Sequence, residues 1–288
     1  MIVNVINAIF AGSDLHCKQI ESIGHAVIGA MHAPQAGVAK IGTSMAAARE
    51  KKPKHAIKQF DRLLSNARID DEVAMAAHAR WVIGPRREIV ASLDWTEHAK
   101  DKHHRIALNL ITRHGRATPL VWKTVTAEEL TGRRNEHEDE LLRLLKRILP
   151  PTVRMVIILA DRGFADIGFY SMLRGELGFH FAIRFRGCIV VEDASGTVKR
   201  GAEWVLPGGR ARRLPQAKVT GRRYPVAAVI AVRKRRMKDN WLIATSLNWN
   251  ADRVVKLYSR RFTCEENFRD EKDPRFGMGT LNVHIGRP

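Results

Sequence analysis

The run Val153–Ala160, VRMVIILA, is apolar at nearly every position, so both faces of the strand it forms must be covered. Three further stretches of strand character precede it: Glu88–Thr96 (EIVASLDWT), His104–Arg113 (HRIALNLITR) and Thr118–Thr126 (TPLVWKTVT), with Gly115 in the second turn. An amphipathic helix over Asn135–Leu149 ends at Pro150-Pro151, ahead of the apolar run. A helix over Ala165–Leu177 and a strand over His180–Phe185 follow it. Three successive strands and then alternating helix and strand specify a mixed sheet with helices packed on it.

That order is the order of the ribonuclease H-like α/β fold, and it places residues 87–186 as the first part of such a core. Residues 1–86 read as a small helical, DNA-binding domain punctuated by Pro53 and Pro85. Within it, residues 15–32 carry an apolar stripe and Gln35–Glu50 is rich in alanine. In the helix after Pro53, Ile57, Phe60 and Leu64 have the spacing of a buried face, while Lys54, Lys58 and Arg62 form a cationic stripe at i, i+4, i+8. Such a stripe suits either solvent or a phosphate backbone.

Residues 187–250 carry many glycines and prolines between strand-like pieces at Cys188–Glu192, Tyr224–Val232 and Trp241–Thr245, and read as a β-rich insertion. Arg210, Arg212, Arg213, Arg222, Arg223, Arg233, Lys234, Arg235, Arg236 and Lys238 make this segment basic. Residues 251–288 then read as the final helix of the core.

Charge narrows the partners. The chain has 49 Lys and Arg against 30 Asp and Glu, a formal net charge of +19, spread through its length. An excess of this size implies a polyanion, and double-stranded DNA is the expected one. No stretch reaches the ~18 apolar residues of a membrane span, and the opening MIVNVINAIFAG lacks the basic start of a signal peptide. The expected location is the cytoplasm, on the nucleoid. Cys17, Cys188 and Cys264 are too few and too far apart for a disulfide framework or a cysteine zinc site. The adjacent His103 and His104 point to opposite faces of a strand and read as non-metal.

Two aspartates stand at informative places: Asp94 within the first strand and Asp161 directly after the buried one, where open sheets build their sites. Near the end, Tyr258, Arg261, Glu265 and Lys272 follow the pattern Tyr-x2-Arg-x3-Glu-x6-Lys. At about 100° per residue these four fall within roughly 60° of one another on a continuous helix. A phenol, a guanidinium, a carboxylate and an ammonium on one face suit a phosphate under attack.

YSRRFTCEENFRDEK, LADRGF, SLDWT and KHAIKQFDRLLSN together resemble the DDE transposases of bacterial insertion sequences, specifically insertion-sequence family four with its Tyr-Arg-Glu-Lys signature. The resemblance implies that Asp94, Asp161 and Glu265 are catalytic and bind two Mg²⁺ or Mn²⁺ ions, and that Tyr258, Arg261 and Lys272 contact phosphates at the element end. It also implies that Trp241 stacks on a flipped base, and that the protein works as a homodimer in its DNA complex. Nicking, hairpin formation, hairpin opening and strand transfer would follow. Phe262 and Cys264 stand where the family often has Trp and an aliphatic residue, and Pro288 comes only sixteen residues after Lys272, where family members continue through further helices. The chain thus reads as C-terminally truncated, and the alternative is an inactive remnant that only binds DNA.

Overall fold

The computed structural model describes residues 2–235, 237–275 and 278–280. Five helices come first: α1 (Ile2–Phe10), α2 (Cys17–His32), α3 (Val38–Ala47), α4 (Pro53–Leu64) and α5 (Asp71–Ile83). Then follow β1 (Glu88–His98), β2 (His103–Ile111), β3 (Ala117–Thr126), the short α6 (Ala127–Leu130) and α7 (Arg134–Ile148). Next are β4 (Met155–Ala160), α8 (Ile167–Ser171), which runs on as a π-helical turn over Met172–Glu176, and β5 (His180–Arg184). The third quarter holds β6 (Val190–Glu192), β7 (Val198–Arg200), β8 (Arg212–Pro215), β9 (Lys218–Val219), β10 (Tyr224–Pro225), β11 (Ala228–Val232) and β12 (Trp241–Thr245). Helices α9 (Ala251–Ser259) and α10 (Phe262–Lys272) close the described chain.

The main sheet has the order β3-β2-β1-β4-β5-β12-β11-β8. Its first five strands follow the ribonuclease H-like order, with β1, β4 and β5 parallel and β2 and β3 antiparallel. β4 is covered on both faces, as its composition requires. Val156, Ile158 and Ala160 pack toward α5, α7 and α8, while Ile157 and Leu159 pack toward α9 and α10. The same alternation runs along β1, where Ile89, Ala91 and Leu93 face α7 and Val90 faces the side of α9 and α10.

One boundary differs from that expected of the sequence. Residues 187–250 do not form a platform apart: β12, β11 and β8 extend the main sheet beyond β5, and only β10-β9-β6-β7 form a second sheet. The reason lies in the strand WLIAT, whose Leu242, Ile243 and Ala244 are apolar on both faces and need cover on both. β12 pairs antiparallel with β5, and the Thr245 hydroxyl donates to the Phe181 carbonyl at 2.7 Å, which ties the junction. The helices of the first region end at Ile83, ahead of β1 at Glu88, and the last of them packs against the core. In α5, Ala76, Ala79 and Ile83 join the core under the sheet while Ala77 packs with α1, so this helix belongs to both layers. Its alanine-rich sequence leaves no broad polar face.

Within the helical region α4 is rotated from its expected setting. Ala56, Phe60 and Leu63 face α3, and Leu64 is 63% exposed. Close approach explains the rotation. A Cβ on Gly42 would lie 2.5 Å from Ile57 Cα, so α3 and α4 meet backbone to backbone there. A Cβ on Gly24 of α2 would meet only Ile6 at 3.6 Å, an ordinary contact. Gly→Ala in a helix gains up to ~1 kcal/mol, whereas overpacking against backbone costs roughly 1–3 kcal/mol. Gly42→Ala should therefore lower the unfolding midpoint in urea, and Gly24→Ala should leave it unchanged or raise it; the reverse order would contradict this packing.

Candidate active site

Parallel pairing of β1 with β4 brings the two aspartates together. Leu93 lies opposite Ala160, so the next residues lie side by side: Asp161 directly after the end of β4, and Asp94 within β1, which runs on to His98. Asp161 opens a turn and its Oδ1 accepts from the Gly163 N–H at 2.7 Å, leaving its second oxygen for a ligand. Even-numbered residues of β1 face α9 and α10, and α10 brings Glu265 over this spot. Asp94, Asp161, Glu265 and Lys272 line one open cavity of about 580 Å³ with Trp95, Phe268 and Arg269.

The four signature residues do not share one helical face, because the expected single helix is two. Between α9 and α10 the backbone bonds run i to i+3: Arg261 N–H to Tyr258 O, Thr263 N–H to Arg260 O and Cys264 N–H to Arg261 O, each 3.0 to 3.2 Å. This tightens the turn toward 120° per residue. The Thr263 hydroxyl also donates to the Arg260 carbonyl, which offers the backbone an alternative to the α-helical bond. Tyr258 is turned into the core at 1% exposure and Glu265 faces the cavity. Burial raises the Tyr258 phenol to about 12, against the pull of Arg261 and Arg184, and Asp161 adds to the rise.

Arg261 is also inside, at 6% exposure. Its Nη1 donates to Asp94 Oδ2 at 3.0 Å, and its Nη2 donates to Glu265 Oε1. One guanidinium thus bridges two of the three carboxylates. Burial pushes the Asp94 carboxyl up to about 6; Arg261 opposes this shift, and Asp161 and Glu265 reinforce it. Burial alone would lower the pKa of Arg261, but Tyr258, Asp94, Glu265 and Asp161 outweigh it and hold the guanidinium above its ordinary range. Lys272, half-buried beside Arg105, is shifted down by burial first and by Arg105 second.

Trp241 begins β12 in the main sheet rather than on a separate insertion. Its ring stacks on Phe262 at 5.7 Å and meets Tyr258 edge-on at 5.2 Å, so it is engaged in packing beside the site. Lys54, Lys58 and Arg62 are exposed on α4, remote in sequence from the carboxylates, and Lys58 and Arg62 line a groove of about 460 Å³ with Lys18 and His55.

Two features take their place at the site only from the tertiary structure. Trp95 borders the cavity, but its indole lies on the α7 face of β1, where its N–H donates to Glu138 at 2.8 Å and the Arg134 guanidinium sits over its ring at 5.2 Å. A carboxylate at position 138, on the stripe that continues through Leu141, Leu142 and Leu145, was the available signal. The second is the β11–β12 turn. Since β12 runs antiparallel to β5, this turn leaves the sheet at the same end as Asp161, and Arg233, Lys234, Arg235 and Lys238 are exposed on it. Arg236 lies outside the described residues.

The carboxylate oxygens are hard donors of the kind that hold Mg²⁺ or Mn²⁺. Among the described residues no three His, Cys, Asp or Glu side chains close on a common point as they stand, because Arg261 bridges Asp94 and Glu265. The donor set fits a divalent cation in chemistry, and the clustering of three carboxylates calls for positive charge that Arg261 supplies in part.

The shift at Asp94 has a sign. The folded chain holds this proton up to about pH 6, while an unfolded aspartate loses it near pH ~3.9. Between these values the folded state binds more protons, so stability falls as pH rises, and the full penalty, on the order of 2–3 kcal/mol, is present above the folded pKa. Asp94→Asn cannot ionise. In metal-free buffer its stability relative to the parent should therefore improve from pH 4 to pH 7, read by urea unfolding; a flat difference would contradict the shift.

The sequence profile of the transposase DDE domain matches residues 93–286. No curated protein matches the chain. Among solved structures, that of Marinitoga piezophila Argonaute in complex with 5′-OH guide RNA and target DNA is similar over 72% of this chain at 6% identity, with a TM-score of 0.25. The chain spans about 30% of that protein's length, and a likeness this weak carries no argument. The domain match spans about two thirds of the sequence and contains Asp94, Asp161 and Glu265, and by it this chain belongs to the transposase DDE domain family.

Proposed function

We propose that the chain cuts and rejoins DNA phosphodiesters at the ends of an insertion sequence of family four, with Asp94, Asp161 and Glu265 as the catalytic and metal-holding residues. The observation that carries this reading is the meeting of Asp94, Asp161 and Glu265 with Lys272 in one open cavity of a chain with a net charge of +19. Two Mg²⁺ or Mn²⁺ ions, when bound, would activate water or a 3′-hydroxyl and stabilise the leaving oxygen. The chain's own part is to position. Asp161 is held by the Gly163 amide, and Lys272 stands at the cavity to take a phosphate oxygen.

Duplex DNA enters the proposal through the exposed cations. The β11–β12 turn offers phosphate contacts beside the carboxylates, and the groove of α2 and α4, with Lys54, Lys58 and Arg62, offers a second set. A homodimer on paired element ends, and a cut-and-paste route through a hairpin, complete the proposal. Trp241 would receive the flipped base, and Phe262, 38% exposed, is the neighbour able to give way to it.

Glu265→Ala should abolish Mg²⁺-dependent cleavage and leave most DNA affinity, since binding rests on distributed phosphate contacts. Glu266→Ala, about 100° away around the helix, should cleave as the parent does. Equal loss in both variants, or none in the first, would remove Glu265 from the site. Charge reversal at Lys54, Lys58 and Arg62 should weaken binding to an element end more than to random DNA and flatten the salt dependence, measured by fluorescence anisotropy. Trp241→Ala should lower the melting temperature and slow hairpin formation more than the first nick. Equal slowing of the two steps would confine this residue to packing.

A further inference from the structure

The bridge made by Arg261 goes beyond the metal-and-DNA reading, although it rests on that reading of the three carboxylates. Arg261 stands at the turn between α9 and α10, four residues before Glu265, and is 6% exposed. Its two terminal nitrogens are spent on different carboxylates, one on β1 and one on α10. Phe262 lies 5.0 Å from the guanidinium carbon, and Nε is buried with no protein partner. A guanidinium so placed neutralises the same oxygens that a divalent cation would need.

We propose that Arg261 is the built-in counter-ion of the carboxylate site, and that a divalent cation loads by exchange with its guanidinium. The two ends of the bridge differ in freedom. The Asp94 side chain is 16% exposed and set in a strand, whereas that of Glu265 is 49% exposed at the start of a helix. Exchange therefore begins at Glu265: its carboxylate swings from Arg261 to the entering ion without backbone motion, and Asp94 follows. The fork released from Glu265 then faces the cavity, where it can donate to an anion such as a phosphate oxygen. Without metal the bridge keeps like charges from repelling; with metal it is a competitor that holds affinity down.

The test is Mn²⁺ binding by the full chain at pH 7.5, read as loss of the free-ion electron paramagnetic resonance signal, with circular dichroism as the check on folding. Arg261→Gln, which removes the charge, should bind Mn²⁺ at least tenfold more tightly than the parent, and its melting temperature should rise more on adding the ion. Arg261→Lys keeps a charge but cannot bridge both carboxylates, and should fall between the two. Equal or weaker binding by a folded Arg261→Gln chain would overturn the exchange while leaving the metal site in place; no binding by parent or variants would overturn both. Should Arg261→Gln not fold, a Mg²⁺ titration of the ¹⁵N-arginine-labelled parent decides the matter. The Arg261 Nε–H resonance, assigned by its absence in Arg261→Lys, should shift as the ion binds, and a resonance that stays in place while Mg²⁺ binds would overturn the proposal.

Discussion

The rest of the structure depends on the parallel pairing of β1 with β4. Leu93 opposite Ala160 commits Asp94, within β1, and Asp161, just past β4, to neighbouring places on two strands that are buried on both faces. Strands this apolar need helices above and below, and the connection between them runs through β2, β3 and α7, which supply those layers on one side. A one-residue slip between β1 and β4 would turn the side chains of one strand to the opposite face, and the apolar alternation along both strands resists such a slip.

Burial costs the Asp94 carboxylate its hydration, and the neighbouring Asp161 repels it, which is what the raised Asp94 pKa expresses. The seating of α10 answers this by bringing Arg261 as well as Glu265. Several contacts hold the helix in place. Cys264 is fully buried and takes a hydrogen bond from Asn109 at 3.1 Å, Phe268 packs into the same core, and Arg105 and Arg116 of the β2–β3 hairpin region pair with Glu271 and Asp270. Burial pushes the Cys264 thiol up to about 12, so this cysteine serves as a small apolar contact. Its replacement of an aliphatic residue is therefore compatible with the site.

The helical region is joined to the core through α5 rather than tethered beside it. Because Ala76, Ala79 and Ile83 pack under the sheet while Ala77 packs with α1, the cations on α4 are carried on a layer that is continuous with the sheet. The basic surfaces are consequently distributed. One lies along α2 and α4, another on the β11–β12 turn at the carboxylate end, and cations on the second sheet are spent locally, as where Lys218 and Arg223 share Glu192. Net charge alone did not separate these roles.

Much of the core was legible from local pattern. Strands β1 to β5 and helix α7 fall within a few residues of where period-two alternation, the apolar run and Pro150-Pro151 place them, because each of those signals acts over a handful of neighbours. Asp94, Asp161 and Glu265 were legible as residue types within a strand, directly after one and on a helix, and they line one cavity. The membership of β12 in the main sheet, the double role of α5 and the break at Arg260 and Arg261 were not legible. Each depends on partners distant in the chain: Phe181 for Thr245, the sheet for Ala79, and Asp94 for Arg261. The sequence by itself determined which segments could be strands or helices, which residues could carry the chemistry and a net charge of +19 that suits a polyanion. Tertiary structure alone decided that Tyr258 is buried and that Arg261 neutralises the carboxylates, because the environment of a side chain is set by what the whole core packs against it and not by its spacing along one helix.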